Sequence, residues 1–320
     1  MRSAEASPSP VRQVAVIGTG VIGASWAACF LARGLRVAAT DPAPGAEHRL
    51  RADVRTHWSF LERLGLADGA SPERLTFTPD LDATVADADF VQENGPERIA
   101  VKRELFQALD AATRSDVVLA TSSSGLSASE LQGACERHPE RVVVGHPFNP
   151  PHLMPLVEVV AGRATGEGAV RDALAFYRSL GKRPIRLRTE LPGHLANRLQ
   201  AALWREAYSL VDRGAATVAE IDAAIAHGPG LRWALLGPFA TQHLSAGVGG
   251  LADVLEHLGP PMEEWWDDLG SPRLTPELRE RAVAGVEQEL VDVDREALTA
   301  ARDRVLLDLL AAKASARELP

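Results

Sequence analysis

The run Gly18-Thr19-Gly20-Val21-Ile22-Gly23 restricts this chain more than any other feature, because of what flanks it. An apolar strand leads in, a helix follows with Ile22, Trp26, Phe30 and Leu31 on one stripe, and Gly34 stops that helix. A second strand, Arg36–Thr40, is closed by Asp41, 23 residues after Gly18. Strand, turn, helix and strand in so short a span make a parallel βαβ unit with a right-handed crossover. A glycine triplet alone is weak evidence; in this setting each glycine has a purpose. Gly18 permits the tight turn, Gly20 lets the backbone approach a pyrophosphate, and Gly23 allows the helix to pack closely on the strand. The helix N-terminus, with Val21 and Ile22 in its first turn, offers unpaired N–H groups to the anion. Asp41 can accept from both ribose hydroxyls and repels a 2′-phosphate, which favours NAD over NADP. The bland alternative is a plain βα turn ended by a capping aspartate. The cofactor-binding candidates are therefore Gly18, Gly20, Val21, Ile22, Gly23 and Asp41.

The remaining periodicity sets the architecture. Residues 44–64 read as a helix with Leu50, Val54, Trp58, Leu61 and Leu64 on one face, stopped by Gly65. Short apolar runs at Phe90–Val91, Val117–Thr121 and Val142–Gly145, then LMPLVEVVAG and PIRLR, read as further strands. After Pro192 the pattern turns helical: 194–213, then 217–227, a helix opened by Thr275-Pro276, and a last one with Leu298, Val305, Leu306, Leu309 and Leu310 at helical spacing. The expectation is an α/β Rossmann domain, a mostly parallel doubly wound sheet, followed by an all-α C-terminal domain. Residues 1–11 read as a flexible tail, 12–190 as the NAD-binding domain, and 191–320 as a helical substrate and dimerisation domain, hence a homodimer. A net charge of −9 and no basic stripe argue against nucleic acid. No apolar run is long enough for a membrane span, and Met1–Gln13 lacks a signal-peptide core, so a cytoplasmic location is expected. Cys29 and Cys135 are too few for a disulfide scaffold and read as buried thiols; no ligand spacing suggests a metal.

Four further segments, ENGPERIAVK (93–102), TSSSGL (121–126), GHPFNPPHLMPLVEVV (145–160) and PGHLANRL (192–199), stand in an order that resembles the L-3-hydroxyacyl-CoA dehydrogenase superfamily. The resemblance runs from about residue 12 to 260 and includes GAATVAEIDAAIAHGPGL before Gly237-Pro238. It implies an NAD-dependent dehydrogenase in which His146 is the general base and Glu158 its orienting carboxylate. It also implies that Ser124 and Asn197 bond the reacting oxygen or neighbouring substrate, that Glu97 and Lys102 lie along the cofactor, and that Asn149 lies near the nicotinamide. The chemistry is coherent: oxidising a secondary alcohol needs a group to take the hydroxyl proton, and imidazole titrates near working pH. A carboxylate on its other nitrogen selects the tautomer and stabilises the imidazolium. A carboxylate inside PLVEVV also needs a partner if buried.

The sequence departs from the CoA-using members at Gly230-Leu231-Arg232-Trp233, where they show Pro-Met before Gly-Pro. There it resembles the branch acting on small free hydroxy acids, the carnitine and gulonate dehydrogenases. DPAPGAE (41–47), ALWREA (202–207) and GLRW favour carnitine as substrate; gulonate and a short-chain 3-hydroxyacyl-CoA remain the alternatives, and an idle NAD-binding relative the non-enzymatic one. Carnitine carries a carboxylate, suited to Arg232, and a trimethylammonium, suited to aromatic faces such as Phe148 and Trp233. Arg232 reads also as a helix C-terminal cap, and of the further aromatic candidates Trp204 reads also as helix core and Trp265–Trp266 as helical-domain or dimer packing.

Overall fold

The computed structural model describes residues 11–319, so the tail expected at 1–11 lies, apart from Val11, outside the described residues. By internal contacts the chain divides into two units, one ending at Arg198 and the other beginning at Leu199.

In chain order the first unit runs β1 (Gln13–Ile17), α1 (Val21–Ala32), β2 (Arg36–Thr40), α2 (Ala46–Leu64), β3 (Leu75–Phe77), α3 (Leu81–Val85), β4 (Phe90–Glu93) and α4 (Ile99–Ala112). It continues with β5 (Val118–Thr121), α5 (Ala128–Gln132), β6 (Val142–Pro147), β7 (Leu156–Ala161), α6 (Glu167–Ser179), β8 (Arg183–Leu187) and the first turn of α7 (Ala196–Asp212). The strands form one sheet in the order β3-β2-β1-β4-β5-β6-β7-β8. Every neighbouring pair is parallel except β6 and β7, so the expected mostly parallel, doubly wound sheet is what forms. Chain order reverses between β1 and β4, and ligands of such sheets bind outside the carboxyl ends of the strands at that switch point.

Both faces of the sheet are covered, which is why the strands read as continuous apolar runs. Val14, Val16, Phe90 and Val143 pack with Trp26, Phe30, Leu50 and Val54 on one side. Ala15, Ile17, Val91, Leu119 and Val144 pack with Phe106, Leu109 and Leu131 on the other. Helix α1 departs from the single stripe anticipated for it: Gly23 through Ala32 are buried all round, since the helix lies between the sheet and α2. Trp26 stacks on Phe30 with ring centroids 5.2 Å apart. Helix α2 buries Leu50, Val54 and Leu61 as its periodicity required. The three-residue β3 is an edge strand that no periodicity announced.

The second unit holds the rest of α7, then α8 (Val218–His227), α9 (Pro229–Trp233), α10 (Pro238–Ser245), α11 (Gly250–Asp268), α12 (Pro276–Glu289) and α13 (Arg295–Ser315). The helix starts are capped by side chains: Thr217 and Glu220 form a capping box, and Thr275 and Asp294 accept from first-turn N–H groups. Its core is thin. Val254, Leu278 and Leu307 are buried, but Leu298 and Val305, expected on the packed stripe of α13, are exposed. Among the described residues no helix is long and apolar enough to cross a membrane, and no cluster of three His, Cys, Asp or Glu is set to hold a metal. Cys29 and Cys135 are free and buried, and burial pushes the Cys135 thiol up to about 12.

Candidate active site

A groove of about 790 Å³ opens at the carboxyl ends of β1, β2 and β4, lined by Gly18, Gly20, Asp41, Asn94, Gly95 and Leu105 among others. The glycine loop forms its floor. Gly18 has φ +84°, and a Cβ there would stand 2.9 Å from the Asn94 carbonyl carbon. A Cβ on Gly23 would stand 1.9 Å from the Gly18 oxygen, so close packing of turn on helix excludes any side chain. At Gly20 a Cβ would meet no described atom within 4 Å, leaving this side of the loop open to a ligand. The first helical bond runs from Ala24 N–H to Gly20 oxygen at 2.8 Å, and no side chain caps α1. The N–H groups of Val21 and Ile22 are thus free to take an anion, with the positive end of the helix dipole behind them. Two backbone bonds fix the Asp41 carboxylate, Oδ2 accepting from Thr19 N at 2.7 Å and Oδ1 from Ala43 N at 2.8 Å. The open glycine, the free N–H groups and the fixed carboxylate fit a dinucleotide.

Glu97 and Lys102 meet in a more enclosed network beside that groove. Lys102 is 1% exposed, and its ammonium donates to both oxygens of Glu93 at 2.8 Å and to the Gly95 carbonyl at 3.2 Å. Glu93 also accepts from Thr121 Oγ1 at 2.5 Å and Gly95 N at 2.6 Å. Glu97 stands 3.9 Å from the Lys102 ammonium. Its Oε1 gathers Ser123 Oγ at 2.5 Å and Gly125 N at 2.7 Å. Burial opposes ionisation of Glu97, but these donors and the Lys102 charge outweigh it and hold the carboxyl below its ordinary value.

The second cluster is built by the antiparallel pair. His146 on β6 and Glu158 on β7 are direct cross-strand partners, because β6 and β7 pair with Val144 opposite Val160 and Gly145 opposite Val159. His146 Nδ1 lies 2.8 Å from Glu158 Oε2, and His146 Nε2 lies 3.0 Å from Ser124 Oγ. The other Glu158 oxygen accepts from Leu195 N and Ala196 N, both at 2.9 Å, at the start of α7. Burial opposes the charge on Glu158, yet the bonds from His146 and the two N–H groups hold its carboxyl below the ordinary value. An ionised Glu158 can only accept, so Nδ1 of neutral His146 carries the proton and Nε2 presents a lone pair toward Ser124. A nitrogen so presented can accept a proton.

Ser124, His146 and Glu158 therefore meet in one place, with Phe148 edge-on to the His146 ring at 5.8 Å. Asn149 follows Phe148 and is exposed; Asn197 follows Ala196 in the first turn of α7 and is partly buried. Arg232 and Trp233 lie exposed on α9, in the second unit. Three residues not singled out from sequence belong to these clusters. Glu93 pairs with Lys102, Ser123 bonds Glu97, and His194 bonds the Ser123 carbonyl. A carboxylate ending the apolar strand FVQE was a readable signal for Glu93; nothing local marks the other two.

Comparison with known proteins decides the family. A model described as "3-hydroxyacyl-CoA dehydrogenase, NAD binding domain" matches residues 13–190, and one described as "3-hydroxyacyl-CoA dehydrogenase, C-terminal domain" matches 193–284. The chain belongs to the 3-hydroxyacyl-CoA dehydrogenase family. As a member it is an enzyme, an NAD-dependent 3-hydroxy-acid dehydrogenase. Among its relatives in the family, an L-carnitine dehydrogenase of Streptomyces griseus subsp. griseus is 51% identical over 97% of this chain and 92% of that one. A 3-hydroxyacyl-CoA dehydrogenase of Gibberella moniliformis is 48% identical over 95% of each. A solved structure, that of an NAD+-dependent dismutase acting as a 5-formyl-3-hydroxy-2-methylpyridine 4-carboxylic acid 5-dehydrogenase, superposes with a TM-score of 0.81 at 29% identity, over 96% of this chain and 99% of that one. Both clusters described above fall chiefly within the span matched by the family's NAD-binding model.

Proposed function

We propose that the chain oxidises the 3-hydroxyl of L-carnitine to 3-dehydrocarnitine, with His146 as general base. The observation that carries the mechanism is the bridging of His146 between Ser124 and an ionised, buried Glu158. Its similarity at 51% identity to an L-carnitine dehydrogenase supports the substrate. Gly18, Gly20, Val21, Ile22, Gly23 and Asp41 would hold NAD, which supplies the hydride acceptor when bound. The alcohol oxygen lies where it can donate to Nε2 and accept from Ser124 Oγ or the Asn197 amide. His146 Nε2 takes the hydroxyl proton, and the resulting imidazolium is stabilised through Nδ1–H by Glu158. Phe148 offers a ring to the trimethylammonium, which cannot donate hydrogen bonds.

The test is NADH appearance with NAD and, separately, L-carnitine, D-carnitine, L-gulonate and 3-hydroxybutyryl-CoA. Turnover with L-carnitine and not with its enantiomer is the expected result. Turnover only with gulonate or the CoA ester would remove the carnitine assignment and leave the base in place.

The homodimer belongs to the same proposal. Trp204, Trp265 and Trp266 are 53%, 60% and 61% exposed, and Leu231, Phe239, Leu244 and Val305 are exposed with them in the second unit. Large apolar side chains left this exposed are what a partner subunit covers. Sedimentation equilibrium is expected to return twice the chain mass, and a monomer at micromolar concentration would contradict it.

A further inference from the structure

His194 sits at the junction of the two groups that hold His146, and it does so in a conformation that side chains rarely adopt. Gly193 and His194 are consecutive residues with positive φ, +75° and +52°, and His194 is the one non-glycine residue with positive φ among the described residues. A Cβ is disfavoured there, so the side chain must contribute something in return. The double bend turns the chain so that the next two N–H groups, of Leu195 and Ala196, meet Glu158 Oε1. The His194 side chain is buried, the residue only 3% exposed, and its Nε2 lies 2.9 Å from the Ser123 carbonyl. A carbonyl only accepts, so Nε2 carries the proton. Nδ1 is then an acceptor, buried and without a hydrogen-bond partner among the described residues. The His194 and His146 ring centroids are 5.0 Å apart.

From this geometry we infer that His194 is a positioning residue for the proposed dyad, tying the Ser123–Ser124 peptide to the bend that presents two N–H groups to Glu158. One bond thereby sets both neighbours of His146: Ser124 on Nε2 through the peptide that His194 grips, and Glu158 on Nδ1 through the bend that His194 occupies. Burial, foremost, and the neighbouring His146 hold the His194 ring below the ordinary histidine value, so it stays neutral while His146 takes the proton. The inference rests on His146 being the base. It goes beyond that reading by giving a role to a residue outside the proposed dyad.

Glycine at this position accepts the positive φ without strain, so His194→Gly separates the backbone bend from the Ser123 bond. His194→Gln retains a donor of similar reach. Steady-state kinetics with the hydroxy acid that the native enzyme turns over, NAD affinity by fluorescence quenching, and thermal midpoints are measured on both, alongside His146→Ala. The expected result is kcat lowered about 10- to 100-fold in His194→Gly, with NAD affinity and the thermal midpoint little changed and most of the activity returned by glutamine. Activity within about twofold of native in His194→Gly, while His146→Ala is silent, would overturn the inference and spare the base. NAD affinity falling in step with kcat, or glutamine doing no better than glycine, would also overturn it. An active His146→Ala would remove the base and this inference together.

Discussion

His146→Ala is expected to lower kcat/KM by about three orders of magnitude while leaving NAD affinity within about threefold of native. General-base catalysis contributes typically 10²–10⁴-fold, and alanine leaves the alcohol proton no acceptor of comparable basicity nearby. Ser124 is a poor substitute, since a hydroxyl is a far weaker base than the imidazole it bonds at 3.0 Å. The groove proposed to hold NAD is built from β1, β2, β4 and the α1 N-terminus, so its affinity is not expected to follow the loss. Stability is expected to fall by about 1.5–3 kcal/mol, because the substitution removes one hydrogen bond from a buried carboxylate and leaves it those from Leu195 and Ala196 N–H. Because the folded Glu158 carboxyl is held below its ordinary value, it stabilises the fold above the unfolded carboxylate range. That contribution is lost as pH falls through the lowered folded value, so stability should decline on acidification and more gently in the variant, which has lost one of the causes. Stopped-flow and steady-state assays with equilibrium NAD titration check the kinetic half. Activity within about tenfold of native would sink His146 as base, because a residue whose removal costs so little is not moving the proton.

The cofactor loop was legible from sequence because its constraints are local. A tight turn, an unobstructed approach and a close helix contact each demand glycine within six residues, and the fold only had to supply Asn94 and the Gly18 oxygen as the things approached. The dyad was different. A separation of 12 residues between His146 and Glu158 has no meaning of its own; it becomes contact only because β7 returns antiparallel to β6 with that register. The resemblance pointed to the pair, whereas helical or strand periodicity could not. His194 was invisible for a further reason, since nothing in PGHLANRL announces a positive φ on the histidine or a carbonyl 71 residues earlier as its partner. The α13 stripe shows a third limit. Leucine and valine at helical spacing tell that a face is to be covered, and they are silent on whether the cover comes from the same chain.

Lys102→Met is expected to lower the thermal midpoint by roughly 10 °C, and Glu93→Gln added to it to restore most of the loss. In the native chain the ion pair is sealed, Lys102 1% and Glu93 0% exposed, with charge-assisted bonds at 2.8 Å. Removing one partner leaves a carboxylate that has been taken from water and has lost its counter-charge, a change that costs about 3–5 kcal/mol. At roughly 2–4 °C per kcal/mol for a unit of this size, that is a shift too large to confuse with surface effects. Glutamine in place of Glu93 removes the orphaned charge; its one oxygen can still accept from Gly95 N, and its NH2 then donates to Thr121 Oγ1 in place of the bond the carboxylate accepted. The pair therefore behaves as one unit, and the double-mutant cycle is expected to show a coupling of a few kcal/mol. The same cycle separates two roles for Lys102. Its ammonium reaches the Gly95 carbonyl, and Gly95 lines the groove with Asn94, so the single variant should weaken NAD binding through the groove wall. If the double variant regains both stability and NAD affinity, Lys102 acts by anchoring that wall. Stability regained without affinity would mean that the ammonium serves the dinucleotide itself, and a single variant losing less than about 1 kcal/mol would mean that Glu93 was never dependent on its partner.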